Sequence, residues 1–197
     1  MREYQFHPSL KQKVKKTYPH LSNKQLGIVL DALRDYFIIC QTAGRKMVAM
    51  PSQVVDIAWH EFILSTQLYK SFCNKSFGYF LHHTPNEVMP SKNTTGEGIK
   101  RAWRIACAHG GINPSKPKSL PLIFSIDKQL EIKDGFHYSL NCCSRTNLSS
   151  DYCASHIGCA ASCEGGSSDS SNGGFWSNDS TSDSGSSCGG GCGGGGD

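Results

Sequence analysis

The sequence lacks the long apolar segments of membrane and secreted proteins. None of its apolar runs reaches the roughly 18 residues of a membrane-spanning helix, so we expect no membrane span. The residues that follow Met1 lead into lysine-rich sequence without the apolar core of a secretory signal, which predicts a cytoplasmic chain. Because thiols stay mostly reduced in the cytoplasm, the ten cysteines do not predict a disulfide framework.

The sequence also lacks the standard motifs of several enzyme and zinc-binding classes. It contains no HExxH and no paired CxxC, and its late glycines do not open a helix as a phosphate-binding loop does. Its Gly-x-Ser-x-Gly sequence at residues 185–189 lies in a Gly/Ser-rich stretch and lacks the flanking strand and helix patterns of a nucleophile elbow. These absences argue against zinc-dependent proteases with the HExxH motif, standard zinc fingers, α/β-hydrolases and P-loop proteins. A non-enzymatic protein is therefore favoured, and an enzyme with a less common site stays open.

Positive charge is missing from the last part of the chain. Residues 1–150 hold all 20 Lys and Arg against ten acids, whereas residues 151–197 hold six acids and no Lys or Arg. From residue 141 onward seven cysteines lie among Gly, Ser and Asp without apolar periodicity. Such a segment buries too little apolar surface to offset the entropy lost on ordering. We therefore predict a helical domain at residues 1–140 and a disordered low-complexity tail at residues 141–197, whose cysteines could capture metal, undergo redox chemistry, anchor the chain or be passive.

Apolar spacing predicts a small all-α bundle in the first 140 residues. Ser22 and Gln25 have the spacing of a capping box, in which each satisfies a free backbone N–H at a helix start. The polar residues 87–98 are expected to form a loop. The expected helices are a short one ending at Tyr18-Pro19, one from Ser22 to Gly44, one from Ser52 to about Cys73, one from a Thr94 cap to Gly110, and one within residues 120–132.

The helix predicted from Ser52 to Cys73 contains the most polar chemistry in the chain. Two adjacent apolar stripes follow its helical period, which indicates burial on most sides. Asp56 and His60 are four residues apart and so lie next to each other on the narrow face between the stripes. The first stripe contains Val55, Ala58, Trp59, Phe62, Thr66, Tyr69 and Cys73, and the second contains Val54, Ile57, Leu64 and Leu68.

A pair of histidines, His82 and His83, follows this helix after a turn. Adjacent residues cannot share one helix face, so at most one of them is expected to point where His60 points. Imidazole, thiolate and carboxylate groups are the usual zinc ligands. The candidate metal ligands are therefore Asp56, His60, Cys73, His82 and His83, and zinc is the candidate ion. The alternative is a core histidine at His60 that bonds to Asp56, with the histidine pair capping a turn.

These residues together resemble the core motif of the glycine-rich domain-containing proteins, a plant and bacterial family whose helical domain has no assigned reaction. The similarity covers roughly residues 22–111, and the chain resembles a short bacterial-type member. The resemblance implies an all-helical module with Trp59, His60, Cys73, His82 and His83 as signature residues. It rests on Asp56, Trp59-His60, Phe62, Thr66, Tyr69, Phe72-Cys73, Phe77-Gly78, His82-His83 and Pro85.

Two functions follow from these patterns. The first is a non-enzymatic module that binds an unknown protein partner and carries a flexible thiol-rich tail. Nucleic acid is not the expected partner, because the lysine run at residues 11–16 has no interleaved aromatic side chains. The alternative is a zinc protein that uses His60 with His82 or His83, with metallohydrolase as the enzyme class that such a site would suit. Its candidate base, Glu61, lies about 100° around the helix from His60 and is poorly oriented for that role.

Overall fold

The computed structural model describes residues 1, 3–83, 92–140, 152–154 and 157. In this part of the chain six helices pack together, and two short strands form a parallel pair in which Tyr138 faces Tyr152. No helix among the described residues has the length and apolar character needed to cross a membrane. The elements are α1 (Pro8–Thr17), α2 (Asn23–Ala43), α3 (Gln53–Ile63), α4 (Thr66–Phe77), α5 (Lys92–His109), α6 (Leu122–Gln129), β1 (Tyr138–Ser139) and β2 (Tyr152–Cys153).

Helix α2 begins and ends where the sequence predicts. The Ser22 hydroxyl accepts from the backbone N–H of Gln25, and the Gln25 side chain accepts from the backbone N–H of Ser22. At the other end Gly44 has a positive φ of 66°, which a glycine adopts without strain. Both ends of this helix are therefore specified by local chemistry.

The apolar face of α2 is the centre of the bundle. Its buried side chains contact α1, α3, α5 and α6. Phe37 is fully buried and packs its ring against Trp59 of α3 and Phe72 of α4, with ring centroids 6.0 and 4.8 Å apart. The predicted helical bundle is confirmed.

The single helix predicted from Ser52 to Cys73 is wrong, because the structure has two helices there. Helix α3 ends at Ile63 and α4 begins at Thr66, and between them Ser65 has the non-helical angles φ −87° and ψ 62°. The second predicted stripe is buried only at its start: Val54 is fully buried, whereas Leu64 and Leu68, on either side of the break, are 69% and 46% exposed. Burial on most sides is therefore correct for α3 and incorrect for the start of α4.

The predicted loop at residues 87–98 is also wrong in its second half, since α5 already begins at Lys92. Gly98 lies inside this helix at a close approach to the connection between α2 and α3. A Cβ atom at Gly98 would lie 2.6 Å from Met47 Sδ and 2.9 Å from the Ala49 backbone nitrogen. The glycine therefore permits close packing and does not mark a turn. The side chain of Thr94 and residues 84–91 lie outside the described part of the chain.

A buried carboxylate, Asp127 of α6, joins its own helix to the start of α3 and to the segment that precedes β1. It accepts from the Ser52 hydroxyl at 2.7 Å and from the backbone N–H groups of Gln53 at 2.7 Å and Val54 at 3.3 Å, all at the start of α3. It also accepts from the backbone N–H of Phe136 at 2.8 Å. Burial raises the pKa of Asp127, and the donated hydrogen bonds oppose that rise. The start of α3 is thus satisfied by a residue about 75 positions away in the sequence.

The chain returns to the helical body beyond the predicted domain boundary at residue 140. Strand β2 pairs with β1, and Ala154 directly after it is fully buried. Ile157 is half-buried against the core. Ala154 and Ile157 therefore contribute packed side chains to the body. Of the predicted disordered tail at residues 141–197, residues 141–151, 155–156 and 158–197 lie outside the described residues.

Replacing Asp127 by Asn should destabilise the fold strongly, because the amide places its own N–H groups against backbone donors. We expect a loss of about 2–4 kcal/mol in the free energy of unfolding, measured by denaturant titration of the full chain. Asp134→Asn is the matched control, since Asp134 is exposed and has only weak contacts at 3.5 Å with the Tyr18 hydroxyl. Equal losses in the two variants would contradict the role given to Asp127.

Candidate functional site

Two polar side chains of α3, Asp56 and His60, face the same side of the helix. Their spacing of four residues places His60 Nε2 3.6 Å from Asp56 Oδ2. The His60 side chain remains 42% exposed, so it reaches solvent from a helix that is otherwise largely buried. The sequence predicted this contact from helical periodicity alone.

His83 joins this pair from the segment that follows α4. Its Nε2 lies 2.9 Å from Asp56 Oδ1, and its Nδ1 lies 3.4 Å from His60 Nε2. Its side chain is only 12% exposed. Asp56, His60 and His83 each offer a ligand atom within 4.8 Å of the others, and they form the only such group of three in the described residues. We call these three residues the Asp-His-His cluster.

The hydrogen bonds of the Asp-His-His cluster define which nitrogen of His83 carries a proton. An ionised carboxylate only accepts, so His83 Nε2 carries the hydrogen that it shares with Asp56. The Nδ1 lone pair of a neutral His83 then points towards His60. A carboxylate that orients one imidazole nitrogen so that the other can bind a metal is a common arrangement in metal sites. The cluster therefore could hold a metal ion.

A chain of buried hydrogen bonds fixes the segment that carries His83. The Trp59 indole Nε1–H donates to the Tyr69 hydroxyl at 3.0 Å, and that hydroxyl donates to the Leu81 carbonyl at 2.5 Å. Burial raises the pKa of Tyr69 well above its usual value, so the phenol stays protonated and remains a donor. The Trp59 ring also packs edge-on against the His83 ring, with centroids 4.5 Å apart. Helices α3 and α4 thus position His83 together.

The other two candidate ligands lie outside the Asp-His-His cluster. Cys73 is a fully buried free thiol on the apolar face of α4, where it contacts Tyr69. His82 packs its ring against Phe80, with centroids 4.9 Å apart. Because neighbouring residues of an extended segment point to opposite sides, His82 and His83 separate in this way. His82 still lines the cleft beside the cluster.

The Asp-His-His cluster lies in the wall of a cleft of about 860 Å³. One wall is the connection between α2 and α3, and the other is the segment at residues 79–83. Cys40 of α2 also lines the cleft, but burial raises its pKa to about 12 and keeps it a neutral thiol near neutral pH. A cleft of this volume is in the range of small-molecule sites.

The sequence analysis did not identify two residues that position the cluster. Tyr69 was assigned only to an apolar stripe, although a buried tyrosine hydroxyl requires a hydrogen-bond partner and so indicates a polar contact. Asp127 lies in an apolar run, and no motif around it indicates a role. A lone acid in such a run indicates a buried acceptor, but its partners at the start of α3 cannot be inferred from spacing.

The fold and the site define a helical protein with an Asp-His-His cluster in an open cleft. The chain belongs to the UCP032817-like family, whose model matches residues 1–157. That match extends past residue 140 and includes β2. No curated protein and no solved structure matches the chain.

Tyr69→Phe should weaken the fold, because it leaves the Trp59 indole without its acceptor and the Leu81 carbonyl without its donor. We expect a loss of about 1–3 kcal/mol in the free energy of unfolding, measured by denaturant titration. Tyr79→Phe is the control, since it removes a hydroxyl that donates to the exposed Gly44 carbonyl at 2.8 Å. If both variants lose the same small amount, Tyr69 does not hold the segment of His83.

Proposed function

We propose that this protein binds a divalent transition metal, with zinc as the first candidate, through Asp56, His60 and His83. The observation that carries the proposal is the convergence of three ligand atoms within 4.8 Å in the wall of a cleft. Two imidazoles and one carboxylate form a ligand set that zinc accepts. The sequence candidates Cys73 and His82 are not part of this set.

The spacing of the ligand atoms supports a tetrahedral ion. Bonds of about 2.0–2.1 Å to a tetrahedral zinc separate two ligand atoms by about 3.3–3.4 Å. His60 Nε2 and His83 Nδ1 lie 3.4 Å apart, and His60 Nε2 and Asp56 Oδ2 lie 3.6 Å apart. An ion held by His60 Nε2 and His83 Nδ1 would also require Asp56 to leave its hydrogen bond with His83 Nε2–H and turn towards the ion.

The fourth position of such an ion would face the cleft. Structural zinc sites use four protein ligands, whereas sites that bind an exchangeable ligand keep one position for water or substrate. The exposed side of His60 leaves room for that ligand. Two histidines and one carboxylate also bind Fe²⁺ in several enzyme classes, so elemental analysis must identify the ion.

Hydrolysis has weaker support than metal binding. The base suggested by the sequence, Glu61, lies 3.4 Å from the Lys13 ammonium of α1 and does not line the cleft. Among the described residues that line the cleft, Asp56 is the only acid. A base for the bound water is therefore not identified, and the function proposed is metal binding.

Binding of a protein partner, which the sequence favoured, stays a prediction. Three large apolar side chains support it, because Leu64, Leu68 and Phe80 are 69, 46 and 40% exposed. Their contacts do not specify the chemistry of a partner. The cytoplasmic location is likewise still a prediction.

Kinship with the glycine-rich domain-containing proteins is also part of the proposal. It is supported by the connected positions of several motif residues, since Trp59, His60, Tyr69 and His83 form one network of contacts. The shared motif would then preserve the metal site. Cys73 and His82 would serve packing around it.

The decisive experiment replaces His83 by Ala and, as its matched control, His82 by Ala. Both variants are made in a full-length chain whose seven cysteines from residue 142 onward are serine, so that tail thiols do not contribute. Elemental analysis and zinc titration should find one ion per chain in the background protein and in His82→Ala. His83→Ala should weaken zinc binding by about tenfold or more, because a direct ligand is lost.

Two outcomes would contradict the metal site. Absence of a stoichiometric ion from the background protein is the first. Equal metal affinity in the His82 and His83 variants is the second.

A further inference from the structure

The cleft beside the Asp-His-His cluster has an excess of positive charge. Arg45 and Lys46 line the cleft, whereas Asp56 is the only acid among its described lining residues. Neither cation forms an ion pair with a carboxylate of the described residues. A divalent ion at the cluster would add two positive charges, and Asp56 would supply one negative charge against them. An anion is therefore the ligand that this cleft favours electrostatically.

The wall that carries these cations is held by three hydrogen bonds. The Tyr36 hydroxyl of α2 donates to the Val48 carbonyl at 3.0 Å, and the Arg101 guanidinium of α5 donates to the Met47 carbonyl. The Tyr79 hydroxyl, from the opposite wall, donates to the Gly44 carbonyl at 2.8 Å. The connection between α2 and α3 is thus fixed before any ligand binds, which lowers the cost of ordering it.

Arg45 is exposed and makes an aromatic contact at the cleft. Its guanidinium carbon lies 5.1 Å from the centre of the Tyr79 ring, within the range of a cation–π interaction. A planar guanidinium held in this way can donate two hydrogen bonds to one carboxylate or phosphate group.

Apolar side chains form much of the rest of the cleft. Met47, Val48, Trp59, Leu81 and Phe136 line it together with the polar groups. A ligand that fills the cleft therefore needs an apolar body as well as an anionic group.

We propose, on the basis of the metal site above, that the cleft binds a small organic oxyanion. One oxygen of its carboxylate or phosphate group coordinates the metal ion at the Asp-His-His cluster, and the remaining charge is neutralised by Arg45 and Lys46. The apolar body of the ligand contacts the aromatic and aliphatic walls of the cleft.

Three probes with the same phenyl body test this proposal. Benzoate and phenylphosphonate distinguish a carboxylate from a phosphate-like ligand, and benzamide is the neutral isostere of benzoate. Each is titrated into the full-length cobalt-loaded protein with tail cysteines replaced by serine, and the visible absorption of cobalt reports a change in its coordination. At least one of the two anions should perturb the spectrum saturably, and benzamide should not.

Two double variants separate the cleft cations from general charge. Arg45→Gln with Lys46→Gln should weaken binding of the anion by about tenfold or more, because both groups that neutralise it are lost. Lys70→Gln with Lys75→Gln removes the same charge from an exposed face of α4 and should change the affinity less than about twofold, since charge at a distance is screened. Cobalt binding should be retained in both double variants.

The results of these titrations distinguish a failure of the proposed anion site from a failure of the proposed metal site. Saturable cobalt binding without a response to benzoate or phenylphosphonate overturns the anion site and leaves the metal site intact. Equal weakening in the two double variants also overturns the anion site, because it would reflect net charge alone. Failure of cobalt to bind at the cluster overturns both.

Discussion

The buried carboxylate of Asp127 is the interaction on which the rest of the structure depends. A buried charge costs several kcal/mol unless it is fully hydrogen-bonded, and here one hydroxyl and three backbone N–H groups satisfy it. Three of these donors belong to Ser52 and the first residues of α3, and the fourth is Phe136. The contact therefore fixes where α3 begins and how it lies against α6. Asp56, which begins the candidate site, is only one turn further along α3.

A second constraint brings His83 to the helix that Asp127 anchors. The chain leaves the direction of α3 at Ser65, and α4 then carries Tyr69 back to the Trp59 indole. The Tyr69 hydroxyl holds the Leu81 carbonyl, two residues before His83. A continuous helix through Ser65 would carry Tyr69 along the axis of α3 and would leave Leu81 without this donor. The break that contradicts the predicted helix is thus a condition for the cluster.

Local chemistry made part of this arrangement predictable. The capping box at Ser22 and the contact of Asp56 with His60 involve residues three or four positions apart, and both were predicted correctly. The break at Ser65 was not, because this residue makes no side-chain cap and apolar leucines continue the helical pattern on both sides. The contacts of Asp127 with α3 and of His83 with Asp56 span 75 and 27 residues. Such contacts depend on how helices pack, which periodicity does not encode.

The packing of the helices also determines which side chains could complete the proposed metal site. A thiol at the fourth position would close the site, but Cys73 lies on the buried face of α4 against Tyr69. The open position of such a site would therefore face the cleft, where Arg45 and Lys46 lie. These cations repel a bare divalent ion and attract the anion that would complete its coordination. Metal and anion would then strengthen each other's binding by the same factor, as linkage requires. A cluster of one acid and two histidines, beside two cations that form no ion pair within the described residues, is thus better suited to a metal–anion pair than to a metal alone.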